Sequence, residues 1–184
     1  MTLRTQMSHY DVIIVGAGIS GISAAVHIQK TCPGKSFTIL EARETIGGTW
    51  DLFRYPGVRS DSDMHTLGFS FKPWTEAKSI ADGPSILKYV NQTTDEFGLR
   101  DFIQLGTKVI KAEWSTGEAR WLLTLEKAEG KTETLTCGFI SMCGGYYNYE
   151  QPHEPGFSNM ENFQGKVVHP QFWPEDLDYS GKKV

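Results

Sequence analysis

The sequence predicts an α/β fold in which helices cover a parallel sheet and a group of antiparallel strands follows. Three observations predict it: an apolar, β-branched run at 10–15, a glycine-rich turn that leads into a helical pattern, and a later change of the hydrophobic period to two. The 184 residues are 39% hydrophobic and 22% charged. These values are typical of a globular domain and exclude a chain that is disordered, collagen-like or coiled-coil throughout.

The first strand, turn and helix carry the clearest pattern. The run YDVIIV is followed at once by the turn Gly16–Gly21, which includes Ser20, and by a helical pattern that stops near residues 33–34. Gly16 permits a tight turn, Gly18 lets the backbone approach a pyrophosphate, and Gly21 allows a helix to pack closely on a strand. The helix N-terminus then directs N–H groups at the phosphates, so the unit predicts a Rossmann-like dinucleotide site.

A second strand at 36–40 ends in an acidic residue, Glu41, twenty positions after Gly21. A carboxylate at this spacing accepts hydrogen bonds from ribose hydroxyls and repels a 2′-phosphate. The site should therefore hold FAD or NAD rather than NADP. A chance glycine-rich turn is the alternative, and the coincidence of strand, helix, second strand and acid argues against it.

The next segment bears on which dinucleotide binds. Gly47 and Gly48 follow the acidic strand end and precede Thr49 and Trp50. A second close approach of the backbone suits a long ligand, which favours FAD over NAD. The following loop, RYPGVRSDSD, is read either as a solvated charged turn or as part of the site.

The rest of the sequence predicts both helical segments and strands. Residues 64–83 form a loop or short helix that we expect to cover the pocket, and residues 84–97 form a helix. Alternating segments at 108–114, 121–125 and 132–136 predict an antiparallel meander. An apolar strand at 139–143 then leads into a Gly-Gly turn.

Charge and cysteine usage limit the function classes. The net charge is −4 without a basic block, so we expect no nucleic-acid partner. The three cysteines contain no CxxC pair, so we expect neither a disulfide framework nor a metal site. No cysteine lies between Cys32 and Cys137, which argues against a disulfide reductase. With no signal peptide and no transmembrane run, we expect a cytoplasmic protein, and peripheral membrane association stays open.

These motifs together resemble a known family. Strand-GAGISG-helix-strand-Glu, GGTW and RYPGVRSD are similar to the FAD half of class B flavoprotein monooxygenases, and FQGKVVHPQFWP fits the type I Baeyer–Villiger fingerprint FxGxxxHxxxWP at every fixed position. Within that family, CGGYYNY and HPQFWPEDLDY resemble the ethionamide-activating mycobacterial type. The N- and S-oxygenating flavin-containing monooxygenases, the alternative, usually carry Phe or Tyr where Trp173 stands, without the following proline.

The resemblance implies an FAD- and NADPH-dependent enzyme. It would insert one oxygen atom of O2 into ketones or oxidise soft sulfur, as in thioamides. The resemblance places the flavin beside Gly48, Thr49, Trp50, Asp51 and Leu52. It also implies that Arg59 and Ser60 lie beside the flavin and nicotinamide and that Asp61 orients an active-site arginine. The main chain of Val109 would contact the adenine. His169 would lie near the domain linker and support cofactor movement.

The resemblance also implies three parts of the chain: a tail at 1–9, the N-terminal part of an FAD-binding domain at 10–150, and a linker at 151–184 that begins an NADPH domain. Family members carry a second GxGxxG, and this sequence has one. We therefore expect a truncated chain whose main NADPH site lies elsewhere, with no steady NADPH turnover and partial FAD retention. A non-catalytic nucleotide-binding remnant is the remaining alternative. The substrate and the oligomeric state stay open.

Overall fold

The computed structural model of the protein describes residues 8–127 and 130–183. Residues 1–7, most of the predicted tail, lie outside this description. The helices and strands, in chain order, are β1 (His9–Val15), α1 (Ile19–Thr31), β2 (Phe37–Leu40), α2 (Thr49–Leu52), α3 (Met64–Leu67), α4 (Gly83–Glu96), β3 (Ile103–Gln104), β4 (Lys108–Ser115), β5 (Arg120–Glu126) and β6 (Thr132–Met142). Short 3₁₀ helices lie at Arg100–Phe102, Met160–Asn162 and Pro170–Phe172.

The strands form one six-stranded sheet in the order β3-β2-β1-β6-β5-β4. β1 is parallel to β2 and β6, and β2 is parallel to β3. β5 is antiparallel to both β6 and β4. The predicted α/β class with an antiparallel meander is confirmed.

The third strand of the meander differs from the prediction. The segments 132–136 and 139–143 were expected as separate strands, whereas 132–142 is one strand, β6. Its first half pairs with β5, from Thr132 opposite Glu126 to Cys137 opposite Trp121, and its second half pairs with β1. The meander is therefore continuous with the parallel sheet.

Apolar side chains cover both faces of the sheet. Ile13 and Ile14 are fully buried neighbours on β1, and strand alternation sends them to opposite faces. Ile14 joins the larger cluster, which includes Ile22 and Val26 of α1. Ile13 joins a second cluster with Leu123, Leu125, Leu135 and Cys137. The sheet is thus held from both sides at the strand that leads into the glycine turn.

Residues 64–83, which we expected to cover the pocket, pack instead against α4. Met64, Phe69 and Trp74 are buried in the larger core cluster with Tyr89 of α4. The Tyr89 hydroxyl donates to the carbonyl of Lys72 at 2.5 Å and accepts from the N–H of Phe69 at 2.8 Å. These aromatic side chains therefore fix this segment to α4.

Helix α4 begins with a side-chain cap. The Asp82 carboxylate accepts from the N–H of Ser85 at 2.9 Å. Hydrogen bonds from the Ser85 side chain and backbone lower the pKa of Asp82. We expect Asp82→Ala to lower the free energy of unfolding by about 1 kcal/mol, the usual cost of losing such a cap.

The pH dependence of this loss has a defined sign. Because the folded-state pKa of Asp82 lies below its unfolded value, the stabilisation is complete above about pH 4 and is lost as the pH falls below it. Urea unfolding of the wild type and Asp82→Ala should therefore differ at neutral pH and converge in acid. Asp101→Ala, at an exposed aspartate, is the control. An equal difference at both pH values would contradict the assignment.

No helix among residues 8–127 and 130–183 is both long and apolar enough to cross a membrane. In the same part of the chain, no group of three or more His, Cys, Asp or Glu side chains is placed to hold a metal ion.

Candidate functional site

A cavity of about 510 Å³ lies at the carboxyl ends of β1, β2 and β6. Open α/β sheets bind their ligands at this edge, and the volume lies within the usual range for small-molecule sites. The lining residues are Val15, Gly16, Gly18, Ile19, Ser20, Leu40, Glu41, Ala42, Arg43, Gly47, Gly48, Thr49, Trp50, Thr107, Lys108, Val109, Cys143, Gly144, Gly145, Tyr147, Asn148, Tyr149 and Glu150.

The glycines of the first turn occupy three different environments. Gly16 has a φ of 106°, and a Cβ there would lie 2.4 Å from the carbonyl oxygen of Cys143. A Cβ on Gly21 would lie 1.9 Å from the carbonyl oxygen of Gly16. A Cβ on Gly18 would meet its nearest atom, the Cα of Gly48, at 3.7 Å. Gly16 and Gly21 therefore allow close backbone packing, whereas Gly18 borders the cavity.

The first turn of α1 is open to an anion. Gly18 is the N-cap and provides no side-chain hydrogen bond, and the first turn contains no acidic residue. Ile19 and Ser20 line the cavity. The first N–H groups of a helix have no intrahelical partner, and the helix dipole favours negative charge beside them. This end of α1 therefore suits a phosphate group.

Glu41 faces the glycine turn. Its side chain accepts from the N–H of Ala17 at 2.7 Å through Oε2 and from the N–H of Arg43 at 2.9 Å through Oε1. The residue is only 6% exposed, and a buried carboxylate is tolerated only with such partners. Each oxygen keeps a second acceptor position, which suits ribose hydroxyls.

The second glycine pair packs against the first turn. The N–H of Gly47 donates to the carbonyl of Ala17 at 3.0 Å. A Cβ on Gly48 would lie 3.1 Å from the Cα of Gly18. Thr49 and Trp50, in α2, line the cavity beside this contact. The two glycine motifs, about thirty residues apart in sequence, thus build one wall.

Arg43 is a residue that the sequence reasoning missed. Its guanidinium pairs with Asp51 at 2.7 Å and lies over the ring of Tyr149 at 5.7 Å. Asp51 is 7% exposed and also accepts from the hydroxyl of Thr45 at 2.7 Å. The carboxylate of Asp51 is therefore directed to Arg43 and Thr45, and Asp51 is not among the lining residues.

Tyr149 was also missed: it ends the CGGYYNY run that contributes to the family resemblance, but no role was assigned to it from the sequence. Burial, followed by the Glu41 carboxylate, raises the pKa of Tyr149, so its phenol stays protonated at neutral pH. At the same rim, Lys108 and Glu150 form an ion pair. The two cations that line the cavity, Arg43 and Lys108, are thus both paired with carboxylates. The N–H groups at the open end of α1 add a positive partial charge that no acidic residue of the first turn compensates.

The loop at 59–61 lies apart from the cavity lining. Ser60 is 3% exposed, and its N–H donates to the carbonyl of Ala81 at 2.9 Å. Arg59 forms a backbone bridge with Asp82. The hydrogen bond between the Tyr147 and Tyr146 hydroxyls, followed by burial, raises the pKa of Tyr147 to about 12, and the charge of the exposed Asp61 is one of the smaller contributions.

A second cavity of about 510 Å³ adjoins this loop, and its lining shares Trp50 with the first cavity. Phe53, Tyr55, Val58 and Leu87 supply much of its apolar wall. Asp51 also lines it, whereas Leu52 lines neither cavity. Of the predicted flavin-side residues, Gly48, Thr49 and Trp50 thus line the first cavity, Trp50 and Asp51 line the second, and Leu52 lines neither.

Of the last two predicted residues, one lines the first cavity and the other does not. Val109 lines the first cavity at a register shift between β4 and β5. His169 is outside the lining, where its Nδ1 accepts from the N–H of Gln171 at 3.1 Å and caps the 3₁₀ helix 170–172. Val109 thus lines the same cavity as the glycine turn, and His169 lies outside that cavity.

Comparisons with known proteins agree with this geometry. Residues 14–82 match the model of the NAD(P)-binding Rossmann-like domain family. The chain is 58% identical over 176 residues to the FAD-containing monooxygenase EthA of Mycolicibacterium smegmatis. The aligned region covers 96% of this chain and 36% of that protein. The chain therefore spans about a third of the length of the curated relatives it matches.

Solved structures give the same result. A steroid monooxygenase bound to NADP superposes with a TM-score of 0.76 and 31% identity, over 95% of this chain and 33% of that one. A cyclohexanone-bound cyclohexanone monooxygenase superposes with a TM-score of 0.75 and 27% identity, over 94% of this chain and 33% of that one. The resemblance to the N-terminal part of Baeyer–Villiger flavoprotein monooxygenases is confirmed.

Proposed function

We propose that this chain provides the N-terminal, FAD-binding part of a flavin-dependent monooxygenase of the Baeyer–Villiger type. The observation that carries the proposal is the position of the Glu41 carboxylate against the glycine turn, beside the uncapped start of α1. This arrangement provides a ribose acceptor and a phosphate site within one cavity. The similarity to FAD-containing monooxygenases over 96% of the chain supports it.

The lining residues fit the adenosine diphosphate part of FAD. The α1 N-terminus and Gly18 would bind the diphosphate, Glu41 the ribose, and the main chain of Val109 the adenine. Gly144 and Gly145 border the cavity, and a Cβ on either would meet no atom within 4 Å, so this wall leaves space for a ligand. FAD, when bound, supplies the redox chemistry and the activation of oxygen.

The flavin end is proposed to lie toward the second cavity. Gly48, Thr49, Trp50, Asp51 and Leu52 would border the flavin, and the sharing of Trp50 between the two cavities supports this direction. We further propose that Arg59, Ser60 and Asp61 face the nicotinamide side, where the exposed Asp61 carboxylate would orient an arginine. His169 would act from the linker at 151–184 on cofactor movement.

The proposed substrates are ketones and soft sulfur compounds such as thioamides, with O2 and NADPH as co-substrates and the NADPH site largely outside this chain. A cytoplasmic location is part of the same proposal. N- or S-oxygenation without Baeyer–Villiger chemistry is the second candidate. The sequence Trp173-Pro174 at the end of the fingerprint favours the Baeyer–Villiger reading.

Titration of the purified chain with FAD tests the proposal. We expect saturable uptake, seen as a shift of the flavin absorbance bands, and competition by ADP, because the diphosphate and ribose contacts lie in this cavity. NADP should compete less well than NAD, because Glu41 repels a 2′-phosphate. A chain that shows no saturable flavin uptake, or that prefers NADP, would contradict the proposal.

A further inference from the structure

Gln171 is a buried polar residue in a segment that is otherwise largely exposed. It is 7% exposed, whereas its neighbour Phe172 is 53% exposed and Val167 is 57% exposed. Gln171 stands at one of the variable positions of FxGxxxHxxxWP, so the motif itself gives it no role. A buried primary amide is costly unless its hydrogen-bonding groups are satisfied, which directs attention to its partners.

The Gln171 amide joins two distant parts of the chain. Its Nε2 donates to the carbonyl of Asn148 at 2.9 Å and to the carbonyl of Tyr149 at 3.0 Å. Its backbone N–H donates to Nδ1 of His169 at 3.1 Å. The cap formed by His169 thus fixes the backbone of Gln171, from which the Gln171 side chain extends. The two N–H groups of one amide serve two successive carbonyls, 22 and 23 residues earlier.

Those two carbonyls belong to a wall of the first cavity. Asn148 and Tyr149 both line it. The Tyr149 ring packs against the guanidinium of Arg43, and its hydroxyl would lie 3.5 Å from a Cβ on Gly48. The fingerprint segment therefore contacts, through Gln171 and then Tyr149, the wall built by the second glycine pair.

We propose that Gln171 is a positioning residue that holds the 148–149 wall of the cavity in its ligand-binding arrangement and so links the His169 segment to FAD affinity. The inference rests on the proposed function. The glutamine side chain has the length and the two donors that satisfy both carbonyls from this position. Glutamate would place a carboxylate oxygen against them, and methionine would fill the space without donating.

Gln171→Met tests the link, with Gln164→Met as the matched control. Gln164 is an exposed glutamine of the same segment, and its amide donates to the nearby carbonyl of Asn162. In the FAD-free chain, Gln171→Met should speed amide hydrogen exchange at 146–151 at least several-fold and leave β1 and α1 unchanged. In FAD titrations it should raise the dissociation constant about tenfold, Gln171→Glu should raise it further, and Gln164→Met should leave it within twofold.

A double-mutant cycle separates positioning from a general loss of stability. If Gln171 acts through Tyr149, then Gln171→Met should add little to the affinity loss of Tyr149→Ala, because residues in one network are not additive. Fully additive losses, unchanged exchange at 146–151, or an unchanged FAD dissociation constant would each overturn the proposal. A wild-type chain that binds no FAD would refute the proposed function and, with it, the role of Gln171 in FAD affinity. Amide hydrogen exchange at 146–151 would still decide whether Gln171 holds the 148–149 wall.

Discussion

Replacing Gly21 with alanine is expected to cost at least about 3 kcal/mol of folding free energy, at the upper end of the range for overpacked cores. The new Cβ would lie 1.9 Å from the carbonyl oxygen of Gly16 and 3.5 Å from Cγ2 of Ile14. Because the new Cβ is fixed rigidly to the α1 backbone and its first contact is a backbone oxygen of the turn, α1 must move away from that turn. Urea unfolding, or the yield of folded monomer where the variant fails to fold, measures the effect.

Gly18→Ala is the matched control from the same turn, and it should separate binding from folding. Gly18 has a φ of −76°, which alanine adopts without strain, and its Cβ would make only an ordinary contact. We expect a stability loss within about 1 kcal/mol, which is the usual cost at an N-cap position. FAD affinity should fall at least about tenfold, because the methyl group would occupy the phosphate approach. Equal stability losses for Gly18→Ala and Gly21→Ala would contradict this distinction.

Glu41→Ala is expected to have the second large effect, on folding and on FAD affinity together. The substitution removes the acceptors of the Ala17 and Arg43 N–H groups, and each buried donor left without a partner costs about 1–3 kcal/mol. Glu41→Gln should retain part of the stability, because one oxygen remains. Both variants should lose FAD affinity, because the ribose acceptor is lost or altered.

Glu44→Gln, at an exposed glutamate three residues further on, is the control for this change. Competition by ADP should weaken in parallel with FAD binding, because both ligands carry the ribose and diphosphate. We would abandon the ribose assignment if Glu41→Gln bound FAD as tightly as the wild type.

The local pattern was sufficient to predict β1, α1 and β2, because a buried parallel strand, a glycine turn and a helix each leave a strong local signal. The division of 132–142 into two strands was wrong because Gly138 interrupts the alternation, although the backbone continues the ladder to β1. The two-residue strand β3 was missed because it is too short to show any period.

The site was predictable where it depends on the backbone and not where it depends on side chains from distant parts of the chain. The glycine turns and Glu41 follow from spacing, and the structure brings them together. Arg43 and Tyr149 meet across more than a hundred residues, and Gln171 reaches Tyr149 through main-chain carbonyls. Contacts of this kind depend on the tertiary arrangement, so no single segment of the sequence contains them.

The unbroken course of β6 has a consequence for ligand size. One end of this strand is hydrogen-bonded to β5, which carries β4 and Val109, and the other end leads to Cys143, whose carbonyl lies against Gly16. The residues proposed to contact the adenine and the diphosphate therefore belong to a single hydrogen-bonded frame. The sheet rather than a loop sets the distance between them, so we expect this distance to change little when a ligand binds.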